Sequence, residues 1–402
     1  MKKILIAVPL IIVLIGIGIY TYDYYFYDQY EVPKEVTILL NDNTFPVYEK
    51  HTSNELVKEI NADIVSETSM LGNDKLGTYR YTLEYKYKKK KYKYDIEYQI
   101  IDITKPIFIS APSTLTIAYD DEKSICDKVV YADDYDNVPT CKIDGEYDKN
   151  TIGTYNNLTY LISDSSGNEN KKSFTLKVVK EIETNNTYTT PKYLYINDII
   201  DRYKNDKTSI GIDVSKWQGS VDFKAVKDAG IEFVIMRIGS QRSPEEEISL
   251  DVRFKEYYQA VKKVGLKMGV YVYNTSTSPE DGIKTAKWVM KELNGDKLDF
   301  PIAYDWESWT NFMDYKISLH TLSESYLAFE NELQKNGYDA MLYSSKYYLE
   351  NVWSNYENSK IWLAHYTSQT DYKGKYMMWQ MTSLAKVNGI TENTVDIDIL
   401  YK

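Results

Sequence analysis

Apolar and polar positions divide the chain into three textures. The first is short. Lys2 and Lys3 precede an uncharged run from Ile4 to Tyr22. As a helix this run would span roughly 28 Å at 1.5 Å per residue, close to the hydrocarbon thickness of a bilayer. Tyr20, Tyr22, Tyr24, Tyr25 and Tyr27 form the aromatic cluster typical of a membrane interface. Residues 4–22 are therefore expected to be a transmembrane anchor. The lysines hold residues 1–3 in the cytoplasm and leave the bulk of the chain outside the cell membrane. A cleaved signal peptide, with a shorter apolar region and small residues at its cleavage site, is the alternative.

The second texture, residues 31–180, is period two. Runs rich in Tyr, Val, Ile and Thr alternate with Asp, Asn and Gly turns, which predicts β structure. A repeat lies within it. Leu76-Gly77-Thr78-Tyr79 leads into the alternating strand 80–87, and Ile152-Gly153-Thr154-Tyr155 leads into 156–163. The second copy continues through Asp164-Ser165-Ser166-Gly167-Asn168 to a strand over 173–179, a hairpin with a Gly-Asn turn. Asp102-Ile103-Thr104-Lys105-Pro106 looks like a junction, because proline ends a strand. Gly-Thr-Tyr, a strand, Asp-Ser-Ser-Gly-Asn and another strand resemble bacterial Ig-like domains. The match is good over 105–180 and weaker over 31–104. Such modules serve as spacers or adhesive units, and fold alone does not choose between them. In the first copy Lys86, Lys88, Lys89, Lys90, Lys91 and Lys93 interleave with Tyr87, Tyr92 and Tyr94. This is either a solvated hairpin end or a patch for anionic wall polymers or phospholipid headgroups.

Residues 181–207 are polar and read as a linker. From 208 onward strands alternate with helices. Strands are expected at Ile210–Val214, Ile231–Ile238, Lys267–Tyr273, Phe300–Asp305 and Ala340–Tyr343. Helices are expected at Asp222–Ala229, Leu250–Val264, Pro279–Leu293 and Leu322–Gln334. Three more strands, Ile361–Tyr366, Tyr376–Met381 and Val395–Leu400, have links too short for crossover helices. The expected fold class is multi-domain: a transmembrane helix, one or two β-sandwich (Ig-like) domains and a C-terminal irregular β/α barrel, TIM-like, over 208–402.

Composition narrows the partners. In 402 residues the net charge is −11, which argues against nucleic acid. Tyr numbers 40, suiting sugar-facing sites and extracellular β domains, though biased codon usage explains it equally well. Cys126 and Cys141 could close a disulfide loop of about 15 residues, worth roughly 3 kcal/mol outside the cell, or stand as two unpaired small hydrophobes. With His51, His320 and His365 as the available imidazoles, no cofactor and no dedicated metal site are expected.

In a β/α barrel the chemistry sits at the carboxyl ends of the strands. Three of those ends carry carboxylates: Gly211-Ile212-Asp213-Val214-Ser215, Ala303-Tyr304-Asp305-Trp306-Glu307 and Val395-Asp396-Ile397-Asp398. Asp305 and Glu307, two apart on a strand, lean to one face. Of two close carboxyls one gains proton affinity and can act as a general acid, which glycoside cleavage requires beside a charge-stabilising carboxylate.

At these residues the chain resembles the glycoside hydrolase family 25 lysozymes. The similarity continues through Trp217-Gln218-Gly219, 233–237, Gly269-Val270-Tyr271 and Leu342-Tyr343-Ser344-Ser345. It ends with Ile361-Trp362-Leu363-Ala364-His365-Tyr366 and Trp379-Gln380. The resemblance implies Glu307 as acid/base and Asp305 as stabiliser of the transition state. It implies Asp213 and Asp396 as substrate-orienting groups, with Tyr271, Tyr343, Tyr366, Trp379 and Gln380 lining the sugar cleft. Asp398 stands where the family often has Asn, adding a carboxylate near the pocket. The implied activity is hydrolysis of peptidoglycan glycan strands between N-acetylmuramic acid and N-acetylglucosamine. The alternatives are a surface glycan-binding or adhesion protein without activity, and a glycosidase acting on another acetylated glycan such as chitin.

Overall fold

The computed structural model describes residues 32–182 and 192–402. The expected anchor, 4–22, lies outside the described residues, as does part of the 181–207 linker. No helix among the described residues is long and apolar enough to cross a membrane. The chain divides into two compact units, Met1–Thr104 and Lys105–Lys402.

In the first unit the strands are β1 (Ile38–Leu40), β2 (Thr44–Pro46), β3 (Val57–Ile60), β4 (Asp63–Ile64), β5 (Gly77–Tyr87) and β6 (Lys90–Ile101). β1 pairs with β3, and a four-stranded sheet runs β2-β6-β5-β4. Leu83, Tyr85, Ile96, Tyr98 and Ile100 alternate onto its buried face. The β5–β6 hairpin turns through Lys88 and Lys89, both at positive φ (46° and 71°), which matches the twist of its strands.

The second unit begins with β7 (Ile107–Ser110), β8 (Thr114–Ala118), β9 (Val130–Ala132), β10 (Thr140–Asp144), β11 (Gly153–Ser163) and β12 (Glu169–Val179). They form a four-stranded sheet, β10-β11-β12-β8, and the pair β7–β9. The sequence repeat is a repeated long hairpin, β5–β6 and β11–β12. In both copies the Gly-Thr-Tyr tyrosine donates to a carbonyl four residues upstream, Tyr79 to Lys75 (2.8 Å) and Tyr155 to Thr151 (3.0 Å). Cys126 and Cys141 are joined by a disulfide. The expected Ig-like sandwich is corrected here. That fold packs about seven strands as two antiparallel sheets, whereas these sheets hold four and two strands, and β8 runs parallel to β12.

These sheets lean on the C-terminal part of the same unit. Ile109 and Ala132 share the unit's main core, Leu319 N donates to Asp133 O (2.9 Å), and the Tyr347 hydroxyl donates to Phe108 O (2.7 Å).

The remaining strands are β13 (Leu194–Tyr195), β14 (Thr208–Val214), β15 (Phe233–Ser240), β16 (Ser249–Leu250), β17 (Lys267–Tyr273), β18 (Ile302–Asp305), β19 (Ala340–Ser345), β20 (Lys360–Ala364), β21 (Met378–Lys386) and β22 (Val395–Tyr401). Helices are α1 (Ile196–Tyr203), α2 (Phe223–Asp228), α3 (Phe254–Val264), α4 (Pro279–Leu293), α5 (Phe312–Tyr315), α6 (Leu319–Lys335) and α7 (Lys346–Asn351). Strands β14, β15 and β17–β22 close into a ring. A TIM barrel needs eight parallel strands, each followed by a helix. Here β22 runs antiparallel to both β14 and β21, and no helix separates β20, β21 and β22. The expected TIM-like β/α barrel is therefore corrected to an eight-stranded β-barrel of mixed direction. Residues 365–377 carry β20 to a parallel β21 without a helix, and residues 387–394 bring β22 back antiparallel to β21.

Alternation along the strands sorts two cores. Ile210, Ile212 and Val214 of β14 and Val234, Met236 and Ile238 of β15 pack outward. Phe233, Ile235, Ala303, Met341, Trp362 and Met378 fill the barrel. Gly211 makes this possible, since a Cβ there would lie 2.2 Å from the Phe233 ring. The expected helix start at Leu250 moves to Phe254, because Asp251 is held by Arg237 and its Oδ1 accepts from Arg253 N.

Candidate active site

Apolar rings plug one end of the barrel, and carboxylates occupy the other. Inward positions near the carboxyl ends of the parallel strands bring together Asp213 (β14), Tyr271 (β17), Asp305 (β18) and Tyr343 (β19). Trp362 (β20), Gln380 (β21) and Asp396 (β22) join them around a pocket of about 180 Å³, with Glu307 and Tyr366 at its mouth. Register places them: Tyr273 is opposite Asp305, Asp305 opposite Tyr343, and Asp213 opposite Asp396.

One hydrogen-bonded chain lines the wall. The hydroxyls of Tyr343 (2.8 Å) and Tyr366 (3.0 Å) donate to Gln380 Oε1, and Gln380 Nε2 donates to Asp213 Oδ2 (2.8 Å). Opposite, Asn274 Nδ2 holds the Asp305 carbonyl (3.1 Å), and Trp306, pointing outward and fully buried, donates to Ser276 O (3.0 Å). The residue between the two carboxylates thus locks the strand end into the outer core.

Burial decides the electrostatics. Asp305 is buried, its Oδ1 meets no donor, and its carboxyl is pushed well above the ordinary range by desolvation and by the adjacent Glu307. Glu307 has exposed surface at the mouth, yet the surrounding walls desolvate it and raise its proton affinity as well. The two are hydrogen-bonded to each other, so the pair retains a proton that a free carboxylate would have lost. Asp396 is pushed up to about 9 by desolvation and by Asp213. Arg237 is the cation that reduces this accumulation at Asp305 and Tyr271, and it is itself paired with buried Asp251 at 2.6 Å.

Beyond Glu307, Tyr343 and Tyr366 the pocket opens into a groove of about 480 Å³, walled by Trp309, Ser345, Lys346, Tyr347, Tyr348 and His365. Glu307 stands where pocket and groove meet. The arrangement can protonate one atom of an extended ligand while carboxylates flank its neighbour, with aromatic faces for sugar rings.

Of the residues singled out in the sequence, Asp213, Tyr271, Asp305, Glu307, Tyr343, Tyr366, Gln380 and Asp396 meet at this pocket. Trp379 does not: it faces the outer core, donates to His365 O (2.8 Å) and stands edge-on to Tyr203. Asp398 lies behind the wall, fully buried, accepting from Trp362 Nε1 at 2.7 Å. Sequence reasoning missed the roles of Trp362 and of the Arg237–Asp251 pair. An arginine ending the apolar run 233–236 was the available signal, since a charge so placed needs a buried partner.

These features define a glycosidase-type site, two coupled carboxyls at the mouth of a polar pocket that continues into an aromatic groove. Residues 212–390 match the family described as Glycosyl hydrolases family 25. Over those residues the chain is similar to that family of glycoside hydrolases, and its relatives include a lysozyme. It is similar to the autolytic lysozyme of Clostridium acetobutylicum, 30% identical over 190 residues, covering 47% of this chain and 54% of that protein. The chain thus matches about half the length of that relative. YegX, an uncharacterized protein of Escherichia coli K12, is 25% identical over 193 residues, covering 47% of this chain and 68% of that one. Among solved structures, the modular autolysin LytC of Streptococcus pneumoniae with a synthetic peptidoglycan ligand is 21% identical, covering 60% of this chain and 56% of that one, at a TM-score of 0.44. The spore cortex lytic enzyme SleM of Clostridium perfringens is 19% identical, covering 49% and 68%, at a TM-score of 0.43.

Proposed function

We propose that the chain is a peptidoglycan hydrolase of the N-acetylmuramidase kind, cutting the β-1,4 bond between N-acetylmuramic acid and N-acetylglucosamine. The observation that carries this is the Asp305–Glu307 pair at the joint between a carboxylate pocket and an open groove. Glu307 gives its proton to the glycosidic oxygen as the bond to the anomeric carbon breaks and its electron pair moves to that oxygen. The carbonyl oxygen of the substrate's 2-acetamido group attacks the anomeric carbon, and Asp305 accepts from the acetamido N–H. Water then adds to the anomeric carbon as the bond to the acetamido oxygen breaks and its electron pair returns to the acetamido group, and the water loses its proton to the Glu307 carboxylate. Asp213, Asp396, Gln380 and the tyrosines orient the sugar. Loss of turbidity of bare peptidoglycan, with mass spectrometry of the new reducing ends, tests the reading. No lysis, or ends in N-acetylglucosamine, would reject it.

Stereochemistry follows from spacing. Asp305 ends β18 and Glu307 stands two residues beyond it, with the two carboxyls close enough to be coupled. An inverting pair needs roughly 6.5–9.5 Å between its carboxyls to admit a water, and a retaining arrangement sits near ~5–5.5 Å. Net retention is expected, and proton NMR of the first-formed anomer checks it: initial release of the α-anomer would contradict this geometry.

The hydropathy of residues 4–22 supports a tether in the cell membrane, with the remainder outside and the β-rich region before the barrel acting as a spacer toward the wall. Protease added to wall-free cells is then expected to degrade everything after about residue 25, while the protein resists a high-salt wash of the membranes. Recovery of the chain from the medium, starting past Tyr22, would show a cleaved signal instead. Lys86–Lys93 supports contact with anionic wall polymers. Lys86→Glu with Lys91→Glu should weaken retention on teichoic-acid-bearing walls but not on walls stripped of it. Equal retention on both would remove that role.

A further inference from the structure

Asp398 has an environment that an ionised carboxylate does not fit. It is fully buried on β22, behind the pocket wall. Its Oδ1 accepts from Trp362 Nε1 (2.7 Å), and its Oδ2, without solvent, meets no N–H or O–H donor. The neighbour is another carboxyl: Asp213 and Asp398 stand on the paired strands β14 and β22, and their side chains lie within reach of each other. Asp213 already accepts from Gln380 Nε2 through its Oδ2 (2.8 Å). Two carboxyl groups in contact can form a hydrogen bond only if a proton lies between them.

We propose that Asp213 and Asp398 share one proton in the folded protein at neutral pH, which makes Asp398 the positioning residue for the pocket wall. Held by that proton and by Trp362, Asp213 is fixed against Gln380, and Gln380 fixes the hydroxyls of Tyr343 and Tyr366. The pair also carries one negative charge instead of two next to the coupled Asp305 and Glu307. Facing it are Asp396 on β22, Glu307 and Asp305 at the end of β18, Tyr271 on β17, Tyr343 on β19 and Tyr366 after β20. The cation near them, Arg237 on β15, is committed to Asp251. Burial raises the proton affinity of both carboxyls, with Asp398 adding to it at Asp213 and Asp396 adding to it at Asp398, while the hydrogen bonds of Asp398 to Trp362 and Asp213 work the other way. The positioning role in catalysis rests on the hydrolase reading; the shared proton does not.

The test is therefore made on stability. In the unfolded chain an aspartate loses its proton near pH ~3.9. A carboxyl that keeps its proton when folded favours the fold below that pH and loses this advantage as pH rises, one proton being released on unfolding. The unfolding constant of the full chain divided by that of Asp398→Asn is expected to rise about tenfold per pH unit between about pH 5 and 8, since the other acids act alike in both. Asp213→Asn should give the same rise, and the double variant no further change. The infrared difference spectrum, wild type minus Asp398→Asn, should show a protonated-carboxyl carbonyl stretch that shifts in D2O, over and above the bands of the other protonated carboxyls that both proteins share. A ratio independent of pH for whichever variant folds, or no such band, would overturn the shared proton whether or not the protein cuts glycan.

Discussion

Glu307→Gln is expected to lower turnover at least ~10²-fold, the usual scale for losing a positioned general acid. The substitution keeps the side chain's size and removes the transferable proton. Glu307 touches both pocket and groove but does not anchor the barrel: its backbone carbonyl accepts from Trp309 N (2.7 Å), and its carboxyl faces the opening. Fold and glycan affinity should persist, so that kcat falls while the dissociation constant for an uncut fragment stays near wild type. A folded variant with near-normal turnover would remove Glu307 from its role. Because desolvation raises Glu307 and Asp305 together, wild-type activity should hold at neutral pH and fail as the pH climbs past the raised ionisation of the pair. An isolated carboxyl would already have lost its proton at lower pH.

Arg237→Met is expected to be the most damaging single change to stability, at about 3–5 kcal/mol. Arg237 Nη2 and Nε both donate to Asp251 Oδ2, at 2.6 and 2.8 Å, and the two side chains are only 11% and 1% exposed. Removing the arginine leaves Asp251 charged in a dry interior, though Lys216 N and Arg253 N still donate to it. Urea unfolding would show the loss as a lowered midpoint. The double variant Arg237→Met with Asp251→Leu should recover much of it, because no orphaned charge remains. A cost below about 1 kcal/mol for the single variant would place this pair with exposed surface bridges. The change should also strengthen proton binding at Asp305, since Arg237 is the cation opposing the surrounding carboxylates there.

Local pattern made much of this protein legible. Period-two alternation and Gly-Thr-Tyr located both long hairpins, because strand faces and turn residues are set within a few positions. Asp305-Trp306-Glu307 could be read as a working pair because an apolar strand led into it and tryptophans flanked it. In β14, the alternation of Ile210, Ile212 and Val214 with Gly211 and Asp213 shows which residues face the barrel.

What the sequence alone determined was therefore the location of the strands and the carboxylates that end them, since these follow from side-chain period and turn chemistry within short windows. Only the tertiary structure decided the direction of β22, because antiparallel return depends on where β14 and β21 leave an open edge. It likewise decided that Trp379 faces outward while Gln380 faces in, since a shift of one residue in register exchanges the faces of a strand. Asp396 and Asp398 point to the same side of β22, yet depth separates them: one reaches the pocket, and the other is sealed behind Trp362 against Asp213. Depth is a property of the closed barrel, and no stretch of local sequence encodes it.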